Sequence, residues 1–179
     1  MLTPLNFIEK LLDASNEFAV RTTIAKNQFL IREGQIEMNL YYIETGAVRV
    51  FRLTEFEEQT IRFGYRGSFI NSLYSFFKNS PSELYIETIR RTTVKILPKE
   101  IILKLAYETH ESLIQYCQLL ENLVTQQIER EIDLLTDSPS ERLQRVLSRS
   151  PELFQEIPLK YIASYLRMSP ETLSRVRNS

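Results

Sequence analysis

Residues 158–176 read PLKYIASYLRMSPETLSRV, and this stretch decides how the second half of the chain folds. Two apolar pairs at helical spacing flank a turn signal: Ile162 and Leu166 come before it, and Leu173 and Val176 follow it. Side chains three or four residues apart lie on one face of a helix, so these four can hold two short helices together. The spacing predicts a helix-turn-helix.

The turn between the two helices carries signals of its own. Met168 can fill the space inside the turn, and Ser169 before Pro170 is a common helix start, with serine as the cap and proline at the first helical position. Ala163 stands where the helices approach most closely, which requires a small side chain. Arg167 fits less well, because this position often takes a positive φ, at a cost of roughly 1 kcal/mol without glycine. A generic pair of packed helices is the alternative.

The outer face of the second predicted helix carries Glu171, Ser174 and Arg175 near its N-terminus, where recognition helices meet the edges of DNA bases. Arginine can bond guanine O6 and N7, and glutamate can accept a hydrogen bond from cytosine N4. The local charge agrees, since residues 139–179 have a net charge of +3 and residues 1–138 have −4. These side chains are therefore candidates for a DNA-reading surface.

A long helix is predicted ahead of this motif. From about 108 to 136 the chain contains neither proline nor glycine. Its apolar stripe, spaced mostly by three and four residues as in a coiled-coil seam, comprises Leu113, Cys117, Leu120, Val124 and Leu134. Gln127 and Glu131 interrupt the stripe. A helix of this length exceeds what one small domain can cover, which favours a seam between two subunits. Packing on the chain's own β-domain is the alternative.

Three serine–proline pairs divide the tail: Ser138-Pro139, Ser150-Pro151 and Ser169-Pro170. Each pair predicts a helix start, because serine can cap a helix and proline suits its first position. We therefore expect four short helices, at about 139–149, 151–155, 159–166 and 170–177.

The first hundred residues follow a different pattern. Met1 to about Val20 predicts one amphipathic helix, and from Arg21 to about Leu97 the chain consists of short β-rich runs. We expect strands at 28–32, 39–44, 47–54, 59–63, 85–88 and 92–97, with turns at Lys26-Asn27, Glu33-Gly34, Thr45-Gly46 and Gly64 to Gly67. Many short strands without intervening helices favour a β-sandwich, roll or barrel, so the predicted fold class is α+β.

Composition argues against several classes of function. Cys117 is the only cysteine and His110 the only histidine, so neither a disulfide framework nor a zinc, iron–sulfur or multi-histidine metal site is expected. A β-roll enzyme of the cupin type would need two or three histidines on its metal. No Ser-His-Asp set, P-loop or dinucleotide glycine motif is present, so we expect no catalytic residues. The lack of a signal peptide or membrane-length apolar run predicts a cytoplasmic protein.

The order of these parts resembles the Crp/Fnr family, which includes the cyclic-AMP receptor protein. The resemblance covers nearly the whole chain, and it is strongest in residues 33–50, which are similar to the hairpin before the family's ligand pocket, and in residues 171–175. It implies a jelly-roll-like, cyclic-nucleotide-binding-type β-roll (the effector or sensor domain) over 1–107, a dimerisation helix over 108–136, and a helix-turn-helix DNA-binding domain over 137–179.

The resemblance also implies roles for individual residues and for partners. Bases would be read by Glu171, Ser174 and Arg175, and phosphates would be held by Thr172, Lys160 and Arg177. The protein would be a homodimer on a palindromic operator, with its recognition helices roughly 34 Å apart, and RNA polymerase would be a further partner. The alternative is a dimeric ligand-binding or protein-interaction module whose helix-turn-helix no longer binds DNA; few residues follow the motif to form a β-hairpin wing.

The family's nucleotide-binding residues are replaced in this chain. Gly67-Ser68-Phe69-Ile70 is similar to the start of the phosphate-binding cassette, which continues with Gly-Glu and reaches an Arg-Ser or Arg-Thr pair ten residues later. Those positions hold Asn71-Ser72 and Ser82-Glu83. A cyclic phosphate buried beside Glu83 with no cation would cost several kcal/mol. We therefore expect that cyclic AMP is not the ligand, and that the effector is another small molecule or absent.

Other sensing chemistries of the family also lack their residues here. Its oxygen sensors need a cluster of cysteines, and its haem-based carbon monoxide sensors need a histidine inside the β-roll, whereas His110 follows it. Neither an iron–sulfur cluster nor haem is expected. Six aromatic residues near the cassette are expected mainly in the core, with a pocket lining as the alternative: Tyr65, Phe69, Tyr74, Phe76, Phe77 and Tyr85.

Overall fold

The computed structural model describes residues 5–178, so residues 1–4 of the predicted N-terminal helix and Ser179 lie outside the described residues. The strands are β1 (Val20–Ile24), β2 (Phe29–Ile31), β3 (Asn39–Thr45), β4 (Ala47–Leu53), β5 (Glu58–Tyr65), β6 (Phe69–Ile70), β7 (Tyr85–Thr88) and β8 (Thr92–Pro98). The helices are α1 (Leu5–Phe18), α2 (Leu73–Lys78), α3 (Lys99–Tyr107), α4 (His110–Leu135), α5 (Pro139–Arg149), α6 (Leu153–Glu156), α7 (Leu159–Tyr165) and α8 (Pro170–Asn178).

The strands form two four-stranded antiparallel sheets, in the orders β1-β8-β3-β6 and β2-β7-β4-β5. Alternate apolar side chains of both sheets, such as Ile43, Val48, Ile86 and Val94, are fully buried between the layers. This confirms the predicted α+β class and its N-terminal β-roll. The six predicted strands match β2–β5, β7 and β8 to within two residues. The sequence analysis missed β1, β6 and α2, and β6 and α2 are too short to show a periodicity.

The hairpin between β3 and β4 requires glycine at position 46. Gly46 has φ +92°, and a Cβ there would lie 2.6 Å from the carbonyl oxygen of Arg91, so no other residue fits without a shift of the backbone. The turn predicted from Gly64 to Gly67 begins too early, because β5 continues to Tyr65 and pairs Gly64 with Val48 of β4.

Helix α1 covers one end of the roll. Its Phe7 and Leu11 are buried together with Leu97 of β8, Ile102 of α3 and Tyr116 of α4. Helix α4 is 26 residues long, or about 39 Å, and so extends from this cluster towards the tail helices. No helix within residues 5–178 combines the length and apolarity that a membrane span requires.

The tail helices form their own apolar cluster against the end of the roll. Ala47 and Ile89 of the roll are buried against it, and its members from α5–α8 are Leu143, Val146, Leu153, Ile162, Ala163, Leu166 and Leu173. Ser138 and Ser169 cap helices as predicted. The prediction for Ser150 is wrong: this residue ends α5 by donating its backbone N–H to the carbonyl of Val146, and α6 begins only at Leu153.

Candidate functional site

Helices α7 and α8, joined by a short turn, lie where the sequence predicts the helix-turn-helix. Ile162, Ala163 and Leu166 are almost completely buried where the helices meet, and the Met168 N–H donates to the Ala163 carbonyl at 3.1 Å to close the turn. Arg167 has φ +54°, the left-handed conformation anticipated at this position. Its backbone strain, on the order of 1 kcal/mol, is carried by the packed residues on either side.

The N-terminal part of α8 is capped and carries polar side chains on its exposed face. The Ser169 hydroxyl accepts the Thr172 N–H at 3.2 Å, which caps the helix, and Thr172 is half-buried beside it. Glu171, Ser174 and Arg175 are exposed on the outer face. Hydrogen bonds from its own backbone amide and from Ser169 lower the pKa of Glu171, so this carboxylate is ionised at neutral pH. The arrangement presents an acceptor, a hydroxyl and a guanidinium on one rigid helix.

The positive charge of the tail is more local than the sequence count suggests. Arg142 bonds backbone carbonyls, Arg145 and Arg149 bond Asp133, and Arg167 bonds Glu57. Lys160 and Arg177 are exposed near the ends of α7 and α8, where each lies close to an aromatic ring. Much of the positive charge of α5 is therefore paired within the protein, whereas Lys160 and Arg177 remain on the surface.

The roll and the helix-turn-helix are joined through α7 and β5. The Ser164 hydroxyl accepts the Thr60 N–H at 3.1 Å and donates to the Glu58 carbonyl at 3.0 Å. Arg49, buried in β4, bonds the Glu58 carboxylate at 2.6 Å and lies 4.5 Å from the ring centroid of Tyr161 in α7. These polar contacts hold α7 in one orientation on the β-roll.

Asp133 joins the end of α4 to α5. Its side chain is completely buried and bonds Arg145 at 2.9 Å and Arg149 through its other oxygen. Arg142 donates to the carbonyl of Thr136 at 2.6 Å and to that of Leu166 at 2.7 Å, so it connects the C-termini of α4 and α7. These side chains therefore join the end of α4 to α5 and to the end of α7. The sequence analysis did not identify these contacts.

Helix α4 has two different apolar faces. One face packs on the chain's own core, with Leu120 partly buried at its edge and Leu113 half-buried. The adjoining face is open, with Cys117 exposed and with an apolar stripe of Val124 (59% exposed), Ile128 (52%), Ile132 and Leu135. Leu134, also predicted in the seam, is 42% exposed beside Asp133. Of the predicted seam residues, Leu113 and Leu120 are therefore partly covered by the chain itself, whereas Cys117, Val124 and Leu134 are exposed.

The cassette positions are filled by hydrogen bonds among themselves. Ser72 and Ser82 are buried with their hydroxyl oxygens 2.8 Å apart, and the Ser82 hydroxyl also bonds the backbone of Leu84. Asn71 is buried, whereas Glu83 is exposed to solvent. None of the four supplies a cation, so a phosphate has no counter-charge from these positions.

A cleft of about 1180 Å³ separates the roll from α4 and reaches the tail helices. Five of the six aromatic residues named near the cassette line it: Tyr65, Phe69, Tyr74, Phe76 and Phe77. Tyr85 does not, because it stacks on Phe51 with the ring centroids 5.2 Å apart. Three arginines absent from the sequence-based site also line the cleft: Arg62 of β5, Arg130 of α4 and Arg149 of α5. The sequence carries no distinguishing signal for Arg62 or Arg130, because Arg62 shares its face of β5 with Thr60 and Gly64, and Arg130 shares its face of α4 with Gln126.

Comparison with known proteins supports this architecture. A sequence model described as "Cyclic nucleotide-binding domain" matches residues 21–108. FixK2 from Bradyrhizobium japonicum superposes with a TM-score of 0.70 at 21% identity, over 89% of this chain and 83% of that one. The Thermus thermophilus Catabolite Activator Protein gives a TM-score of 0.57 at 22% identity, over 94% and 81% of the two chains.

A CooA mutant from Carboxydothermus hydrogenoformans gives a TM-score of 0.71 at 16% identity, over 93% of this chain and 77% of that one. No curated protein matches the sequence significantly. Each of these structures covers at least 89% of this chain. Residues 21–108 thus match a domain of the cyclic nucleotide-binding type, and the chain shares the overall fold of these solved structures.

Proposed function

We propose that this protein is a sequence-specific DNA-binding transcription regulator of the Crp/Fnr type that acts in the cytoplasm as a homodimer. The observation that carries the proposal is the display of Glu171, Ser174 and Arg175 on the outer face of α8, over a buried helix-turn-helix core. Thr172, Lys160 and Arg177 flank them, in positions to bond phosphates. The solved structures to which the chain is similar include a protein named as a catabolite activator.

Mobility shift against the DNA upstream of the gene tests this proposal. Arg175→Ala should weaken binding to the specific site by about tenfold to a hundredfold, because a bidentate arginine–guanine contact contributes about 1–3 kcal/mol of discrimination. The matched control is Arg52→Ala, which removes an exposed arginine of β4 far along the chain and should leave binding unchanged. Arg177→Ala should weaken specific and non-specific binding alike and reduce the salt dependence.

Weak, salt-sensitive binding that is the same for the native protein and Arg175→Ala would contradict this function. That result would favour the second candidate, a dimeric ligand-binding or protein-interaction module whose helix-turn-helix no longer binds DNA. The specific observation behind this candidate is the tight docking of α7 on β5 through Ser164. That result would also remove the reason to expect RNA polymerase as a partner.

The open face of α4 supports a homodimer. Burying Val124, Ile128, Ile132 and Leu135 against a second copy would remove four large apolar side chains from water. Ile128→Glu should convert the dimer to a monomer in light scattering at micromolar concentration. Ile36→Glu is the matched control, since Ile36 is exposed to the same degree (51% against 52%) but lies outside α4. A native protein that is strictly monomeric would exclude this arrangement.

We further propose that cyclic AMP is not the effector. The hydroxyls of Ser72 and Ser82 bond each other where the family holds ribose and phosphate, and Glu83 would repel an anion. Isothermal titration should detect no heat of binding for cyclic AMP at micromolar concentration. Saturable binding in that range would overturn this part of the proposal and leave the DNA-binding part intact.

A further inference from the structure

The face of α4 that lines the cleft is apolar in its first part and polar further along the helix. Leu119 and Leu123 make its first part apolar, and Gln126 and Arg130 follow at the same spacing. Residues four apart on a helix lie one above the other, so Gln126 and Arg130 line adjacent parts of the cleft. The cleft is therefore apolar towards the roll and basic towards the tail.

Arg62 reaches the same part of the cleft from β5. It donates to the Gln126 side-chain oxygen at 3.1 Å, and no carboxylate of residues 5–178 lies within ion-pair distance of it. Burial lowers the pKa of the Arg62 guanidinium from its usual value, since desolvation disfavours the charge. Arg62 is thus half-buried, and its polar partner is a neutral amide oxygen.

Arg130 is also half-buried, and no carboxylate in the described part of the chain lies within ion-pair distance of it. It donates to the Tyr165 carbonyl and its guanidinium carbon lies 3.7 Å from the Tyr165 ring centroid, but its Nη1 is buried without a hydrogen-bond partner. Burial also lowers the pKa of Arg130. Asp133, three residues further along the helix, is already paired with Arg145 and Arg149.

The cleft itself supplies little negative charge. Glu129 lies on its wall, but this carboxylate is 3.4 Å from the guanidinium of Arg149. Phe63, Leu119 and Leu123 make the neighbouring wall apolar. Buried cations are ordinarily paired, and a guanidinium without an acid in a ligand-sized cleft indicates that the anion comes from outside the chain.

We propose that this cleft binds an apolar small molecule bearing one oxyanion group, such as a carboxylate, with Arg62 and Arg130 on the anion and the aliphatic and aromatic wall on its body. A guanidinium offers two parallel N–H donors, which match the two oxygens of such a group. Part of the cassette segment, including Gly67 and Asn71, also lines the cleft, but these two cations come from β5 and α4 and not from the positions of Ser72 and Ser82. Binding at this site does not depend on the proposed DNA recognition.

Two dyes that differ only in charge test the site on the full-length protein. Anilinonaphthalene sulfonate carries the anion on an aromatic body, and the neutral N-phenylnaphthylamine has the same rings without it. The sulfonate should bind with a rise in fluorescence and be displaced by octanoate but not by octanol. Arg62→Gln and Arg130→Gln should each weaken sulfonate binding by about tenfold and change binding of the neutral dye by less than about twofold.

Arg66→Gln is the matched control, because Arg66 is an exposed arginine beyond the end of β5 and should leave both dyes unaffected. Arg62→Gln is the decisive variant if Arg130→Gln loosens α7, since the Arg62 side chain bonds only Gln126; unchanged circular dichroism verifies its fold. Sulfonate binding that is insensitive to Arg62→Gln, equal affinity for the two dyes, or no binding of the sulfonate would each overturn the proposal.

Discussion

Replacing Asp133 with alanine removes the acid that joins α4 to α5. The carboxylate is completely buried, and it bonds the Arg145 Nε at 2.9 Å and the Arg149 guanidinium. After the substitution two guanidiniums face each other without an acid between them. The perturbation therefore acts where α4 is joined to the tail helices.

The size of the effect follows from the burial of the partners. Removing one member of a buried ion pair costs about 3–5 kcal/mol, because the remaining charge is left uncompensated. Arg145 and Arg149 are 33% and 30% exposed, so water can partly solvate them and the lower end applies. We expect a loss of about 3 kcal/mol in the free energy of unfolding, or roughly 6–12 °C in Tm for a chain of this size.

Urea unfolding followed by circular dichroism measures this loss at fixed protein concentration. Asp137→Ala, an exposed acid four residues further on, is the control and should change the free energy of unfolding by less than about 0.5 kcal/mol. In a double-mutant cycle with Arg145→Met, the loss from Asp133→Ala should shrink, because one stranded cation is gone. A loss below about 1 kcal/mol for Asp133→Ala, or losses that simply add in the cycle, would refute the reasoning.

Three further predictions concern stability in urea unfolding. Gly46→Ala should cost about 3 kcal/mol, because its Cβ meets the backbone, whereas Gly34→Ala, with positive φ but open space, should cost about 1 kcal/mol; equal losses would contradict the steric explanation. Burial raises the pKa of Glu37 above 4.5, so the native protein should lose stability relative to Glu37→Gln as the pH rises from about 4.5 to 7; a pH-independent difference would exclude this. Ser138→Ala should cost about 1 kcal/mol, and an unchanged unfolding midpoint would show that the cap contributes nothing.

The helix-turn-helix was readable from the sequence because all its determinants lie within nineteen residues. The cap at Ser169, the left-handed Arg167 and the buried Ile162 and Leu173 act through local geometry, so their spacing alone predicts the result. The β-strands were found for a similar reason, since alternation and turn residues specify a hairpin locally. The cassette substitutions were also readable, because a missing charge needs no coordinates to be noticed.

Only the tertiary structure decided which surfaces meet. Arg62 and Arg130 are 68 positions apart, and Ser164 bonds a strand more than 100 positions earlier, so neither contact has a sequence period that could predict it. The same is true of α4, where helical spacing gives two apolar faces and packing selects the one that is covered. Periodicity reports local geometry, whereas the pairing of distant segments depends on how the whole chain buries its apolar surface, and that brought Arg62 and Arg130 to one cleft.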